Sequence, residues 1–333
     1  MAQRIIEVIV PKDRGHTILD IMEGHDKLDM WEETLPNERT LFKILVKSED
    51  SECIMDDLEK KLTLTEGFRV ILLPVEASLP REKEPEKKEE NGKKRRRFLR
   101  ISREELYNDV VEMTDINTTF MSLIIISAVV AAIGLFSNNV AVIIGAMVIA
   151  PILGPNVAFS LATTLGDRDL AWKSQKANML GIALAVLFAL IMGFLFTIDP
   201  DTPEIMSRTS INLYDVLLAL ACGTAGVLSI TVGVATALVG VMVAVAFMPP
   251  LVTFGLLLAA GYPELAVGAG MLFLVNLICI NLSGVMVFMA KGISPRRWWE
   301  AKKARKSVWN SIMLWTILLL ILILTVILYQ GYI

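Results

Sequence analysis

Cysteine and histidine are scarce here, three of the one and two of the other in 333 residues. Cys53, Cys222 and Cys279 lie far apart, which argues against a zinc cluster and against a disulfide framework. His16 and His25 have no cysteine near them in sequence to complete a metal set, and each reads as an ordinary surface histidine. No nucleophile, acid–base pair or metal set is visible, so the chain is not expected to be an enzyme or to carry a cofactor. Charge is scarcer still in the second part. From Thr118 onward apolar runs dominate, and apart from Asp215 at one lip their cores hold no Asp, Glu, Lys, Arg or His. Proton relays across membranes use such groups, so a proton-coupled pump is not expected. No cleavable leader is expected: Met1–Val10 alternates charge with β-branched residues, and insertion is expected to start from the first span.

What is present divides in two. Through Pro80 there are 17 Asp+Glu against 10 Lys+Arg, a balance of −7; the net charge of −3 leaves +4 for the rest. An acidic front part argues against nucleic acid as its partner. Its pattern reads as strand Ile5–Val10, helix His16–Met22, strands Leu28–Leu35 and Thr40–Val46, helix Ser51–Leu62 and strand Phe68–Leu73. That βαββαβ order predicts a ferredoxin-like α+β domain over residues 1–77. The acidic group Glu49, Asp50, Glu52, Asp56, Asp57 and Glu59 lacks the spacing of a calcium loop and reads as a solvated helix start. Residues 78–100 are mostly Glu, Lys, Arg and Pro, too polar to bury, and are expected to be a disordered linker. The linker ends in Lys93, Lys94, Arg95, Arg96 and Arg97, placed to contact anionic lipid at about 1 kcal/mol per residue. Residues 101–117 read as an amphipathic juxtamembrane helix capped by Ser102 and Glu105.

About seven apolar runs follow, near Thr118–Phe136, Val140–Leu165, Ala177–Ile198, Leu213–Ile230, Val232–Ala260, Leu265–Ala290 and Trp309–Tyr329. Every other loop is basic: the stretch before the first run, the loop with Arg168, Lys173 and Lys176, and the 291–308 loop. This alternation predicts a multi-pass protein of the cell membrane with its N-terminus in the cytoplasm and its C-terminus outside.

Shifted by 95 positions, the second and fifth runs match at ten of the 32 positions from Val140 to Ala171, among them Gly145 with Gly240 and Pro155 with Pro250. Two inverted three-helix repeats, 118–198 and 213–290, are therefore expected, an arrangement common in transporters and found also in channels. Pro151 and Pro155 in one copy, and Pro249 and Pro250 in the other, delete backbone donors at membrane depth. Ala150–Asn156, including Gly154, and Phe247–Leu251 are the expected non-helical segments, either plain kinks or breaks that line a path. Asn156, Asn276 and Asn281 are candidates to line it, or else to bind helices together. Gly223–Gly226 and Gly268–Gly270 offer small-residue faces for contact between copies, and a symmetric homo-oligomer is expected.

The run from Ile144 to Asn156, Ile-Gly-Ala-Met-Val-Ile-Ala-Pro-Ile-Leu-Gly-Pro-Asn, resembles the signature of a prokaryotic membrane family, domain of unknown function 389. Ile101–Tyr107 and the stretch around Asn276 to Asn281 are similar to it as well. The resemblance covers roughly Ile101–Ala290; it implies a membrane protein and no particular activity. The residues together favour a channel or facilitator for a small ion or polar solute, with membrane lipid as a partner and with the N-terminal domain regulating it. The alternative is a membrane-anchored sensor or scaffold.

Overall fold

The computed structural model describes residues 3–36, 38–62, 67–75, 103–232 and 236–293, and single positions between 313 and 324. The 78–100 segment with Lys93 to Arg97, the cap Ser102 and residues 294–312 lie outside the described residues. The chain divides into two compact units, Met1–Glu104 and Glu105–Ile333.

In the first unit, period-two alternation builds the sheet. Along β1 (Gln3–Pro11), Ile6, Val8 and Val10 are fully buried while Ile5, Glu7 and Ile9 point to the other face. Helix α1 (Gly15–Met22) follows, then β2 (Asp29–Leu35), β3 (Arg39–Lys47), α2 (Ser48–Leu62) and β4 (Arg69–Val75). The strands lie in the order β2-β3-β1-β4 and every neighbouring pair is antiparallel. Ile18, Ile21 and Met22 of α1, with Ile54, Leu58 and Leu62 of α2, close the core over Phe42, Ile44 and Val46. The six expected elements are all present, with ends moved by a few residues.

The second unit is helical. It opens with α3 (Arg103–Glu112), whose Leu106 and Val110 are buried one turn apart. Then come α4 (Thr118–Phe136), α5 (Val140–Ile149), α6 (Leu153–Leu165), α7 (Arg168–Leu195), the short α8 (Pro203–Met206), α9 (Leu213–Val232), α10 (Thr236–Ala259) and α11 (Pro263–Ala290). Side-chain caps start three of them: Asn117, Asn139 and Asp167 each accept from backbone N–H groups of the first turn. Among the described residues, α4, α7, α9 and α11 are long and apolar enough to cross a membrane, and α5 with α6 makes a fifth if that bent pair is one span. In the last apolar run, Trp315 meets the Phe159 ring edge-on at 6.1 Å, and Leu319 joins a cluster with Val216, Leu272 and Cys279.

The 95-residue shift reappears in the helix ends. Helices α7 and α11 are both 28 residues long, and their starts (263 − 168) and ends (290 − 195) differ by 95. Helix α6 stops at Gly166 (φ 71°), where Gly166 and Asp167 donate to the carbonyls of Thr163 and Ala162 at 3.4 and 2.9 Å. Helix α10 stops at Gly261 (φ 84°), where Gly261 and Tyr262 donate to Leu258 and Leu257 at 3.4 and 3.0 Å. Both are the same left-handed glycine termination. Helix α4 packs on α5 and α7, and α6 on α7; α9, α10 and α11 pack on one another; across the groups, α10 packs on α4, α5 and α7, and α11 on α6.

Candidate functional site

The helical run from Val140 to Leu165 is broken where the sequence places Pro151. Proline disfavours helical backbone in the residue before it, and Ala150 is extended at φ −68°, ψ 117°. Three residues, Ala150–Ile152, separate α5 from α6, and the two axes differ by 53°. The break is shorter than expected. Gly154, Pro155 and Asn156 are already helical, because Pro155 falls in the first turn of α6, where a missing N–H costs nothing. Gly154 admits no side chain: a Cβ there would lie 2.6 Å from Cβ of Met113 and 2.9 Å from its carbonyl oxygen.

The second expected break is absent. Helix α10 runs unbroken through Pro249 and Pro250. Pro250 has no N–H for the carbonyl of Ala246, four residues back, and Nδ2 of Asn276 donates to that carbonyl at 2.6 Å. A side chain of α11 thus supplies the donor that the proline removed. Among the described residues, two opposed half-helix starts therefore do not occur at the paired prolines; the interruption lies ahead of α6. Asn276 serves α10 and is not joined to Asn156.

Asn156 and Asn281, by contrast, are brought together. Oδ1 of Asn156 accepts from Nδ2 of Asn281 at 3.3 Å and from Nδ2 of Asn178 at 3.4 Å. Nδ2 of Asn156 donates to the Ile152 carbonyl at 2.9 Å, at the break itself. Ser160 donates to the Asn156 carbonyl at 3.1 Å and lies 3.3 Å from both Oδ1 and the carbonyl of Asn281. All four residues are buried, so α6, α7 and α11 meet around amides rather than around charge. The sequence reading missed Asn178, a lone amide in the apolar run of α7. Its place on the same helix face as Gly181 and Ala185, among the small residues that pack inward, was the available signal.

A narrow cavity adjoins this cluster, with room for about one water-sized guest. Asn156 and Asn178 line one side; Leu251 and Phe273, their counterparts at 95 positions, line the other; Ile182 and Leu277, counterparts half-way along α7 and α11, line it together. No charged residue lines it. Asn178 makes only the long bond to Asn156 among the described residues, which leaves its amide oxygen and second N–H to the cavity.

Close contacts obey the same shift. A Cβ on Gly255 would lie 2.6 Å from Cβ of Ala189, and one on Gly284 would lie 2.7 Å from Oγ of Ser160. Moving 255 back and 189 forward by 95 gives 160 and 284. Three glycines of the small-residue faces expected to serve contact between copies lie against neighbours within the chain. A Cβ on Gly223 would strike Ser283, one on Gly268 the Thr209 carbonyl, and one on Gly270 the Phe254 ring.

Outside the membrane spans, Tyr107 donates to Oδ2 of Asp167 at 2.8 Å, tying α3 to the start of α7. Burial, and then that bond to a carboxylate, push the phenol up to about 12. In the first unit His25 is no isolated surface group, since its Nε2 lies 3.1 Å from Oδ2 of Asp57. Lys60 above all, opposed by partial burial and aided by His25, holds the Asp57 carboxyl below its usual value.

The family described as Domain of unknown function (DUF389) matches residues 147–282, the stretch that contains the break, the amides and most of the cavity wall. An uncharacterized protein of Methanocaldococcus jannaschii is 37% identical over 98% of this chain and 99% of its own length. No solved structure matches the chain. With end-to-end identity to that relative and the domain matched across its broken span, the chain belongs to the DUF389 family.

Proposed function

We propose that this protein is a channel or facilitator for a small ion or polar solute, its path running between two inverted three-helix repeats, 118–198 and 213–290. The observation that carries this reading is the reciprocity of packing. Gly255 on Ala189 and Ser160 on Gly284 are one contact made twice, as a two-fold axis between the halves requires. Three spans per copy reverse the second copy in the bilayer, and transport sites of such proteins lie at the repeat interface near the midplane. The cavity lined by paired positions lies half-way along α7 and α11. A plain anchor needs neither a doubled architecture nor a span broken beside buried amides.

The rest of the reading follows from loop charge. A seventh span ends the chain, the N-terminal unit regulates the path from the cytoplasm, and the C-terminus lies outside. Copies assemble with cyclic symmetry about the membrane normal. Purified protein in liposomes is expected to raise solute flux above that of empty vesicles; flux equal to empty vesicles would leave the anchored sensor or scaffold as the better account. Reporters on Met1 and Ile333 are expected on opposite sides of the membrane.

A further inference from the structure

We infer that the axial cavity is the selectivity site of this path and takes a small uncharged hydrogen-bonding solute, rejecting bare ions; this inference rests on the transport reading above. A dehydrated ion needs compensation for its lost water, from opposite charge or from a ring of oxygen ligands. The cavity offers neither. Its polar groups are two amides, Asn156 and Asn178, and Asn156 Oδ1 is already taken by Asn178 and Asn281. Helix α6 does not supply an anion site in their place. Its start packs Gly154 against Met113, and the opposing half-helix that would have doubled its dipole is absent.

What remains suits a neutral guest. Asn178 is nine-tenths buried and presents a free acceptor and a free donor together. A water molecule offers the complementary donor and acceptor to both. Across the axis, Leu251 and Phe273 stand where symmetry would have put a second Asn pair. With room for about one water-sized guest, the site is polar on one wall and apolar on the other, and it favours water. Asn178 acts as the specificity-determining residue.

The test uses the full-length protein in liposomes. Light scattering follows water, formamide and urea; tracer uptake follows K⁺ and Cl⁻. The parent is expected to raise water permeation several-fold over empty vesicles and to leave formamide, urea and both ions near background. Asn178→Leu is expected to lower water permeation about tenfold, the factor for one lost hydrogen bond. Asn178→Ser keeps a donor and an acceptor and is expected to retain most of it. Phe273→Asn, which completes the amide pair across the axis, is expected to raise it; this comparison stands even where the leucine variant does not fold. Ion flux equal to or above neutral flux, and sensitive to Asn178, would overturn the solute class and leave transport standing. Neutral flux indifferent to all three variants would overturn the site alone. No flux of any solute would overturn both.

Discussion

The two three-helix groups of the second unit have helices with matching ends and the same glycine terminations, yet they treat proline in opposite ways. In the first, Pro151 ends α5 and bends the span by 53°. In the second, Pro249 and Pro250 sit inside α10 and the helix continues. The proline count does not decide the outcome. What differs is which element supplies the side-chain donor to a carbonyl near the proline. Ala246 finds Asn276. At the break the Ile152 carbonyl takes Nδ2 of Asn156 from the same helix, which ties the amide cluster to the bend. One group has used a side chain to repair a helix, and the other has used a side chain to hold a break open.

The severest way to break the comparison is to fill the paired glycines. Gly255→Val and Gly284→Val each force a side chain into an occupied contact, and each is expected to cost about 3 kcal/mol, the upper range for overpacking. Thermal stability in mild detergent measures it. Equal losses sharpen the correspondence; tolerance of one with collapse of the other breaks it. Next in size is the repair of α10. Asn276→Leu leaves the Ala246 carbonyl buried and unpaired, at about 2 kcal/mol. Adding Pro250→Ala supplies a backbone N–H and is expected to recover most of that loss. A double variant no better than the single would show that Asn276 does something other than cap that carbonyl.

The smallest effect lies at the edge of the first group. Tyr107→Phe removes the bond to Asp167 and is expected to cost about 1 kcal/mol. Its pH dependence has a definite sign. The folded phenol is raised from 10.0 to about 12. Its contribution is therefore whole below the unfolded value and is lost as pH rises through the folded one. The gap between parent and variant should be constant up to pH 10.0 and close towards pH 12. A gap that persists past that point would mean that the tyrosine stabilises by packing alone.

Much of the fold was legible because its signals are local. Alternating Ile6, Val8 and Val10, the Asp167 cap and the Gly166 and Gly261 stops all act within a few residues of themselves. Pro151 was legible as a break for the same reason. Pro249 and Pro250 misled because their outcome is set 26 residues further on, at Asn276, and no local pattern announces a donor arriving from another helix. Asn156 and Asn281 were singled out one by one as polar groups in apolar runs. That Asn281 and Asn178 both donate to Oδ1 of Asn156, while Asn276 stands apart, is a matter of helix packing that sequence spacing does not carry.

Helices α7 and α11 are counterparts of equal length, but 28% of the apolar window is buried in the one and 72% in the other. A helix with a lipid-facing side can rest in the bilayer while its neighbours arrive. Helix α11 is enclosed by α6, α9 and α10, all of which leave the ribosome before it. The growing chain must therefore hold a vacant slot, with Asn156 and the Ala246 carbonyl lacking their final partners, until α11 enters and supplies both. A chain arrested at Tyr262 would carry most of the spans and none of the closure, so quality control over this protein would be exerted late in synthesis, at the arrival of one helix.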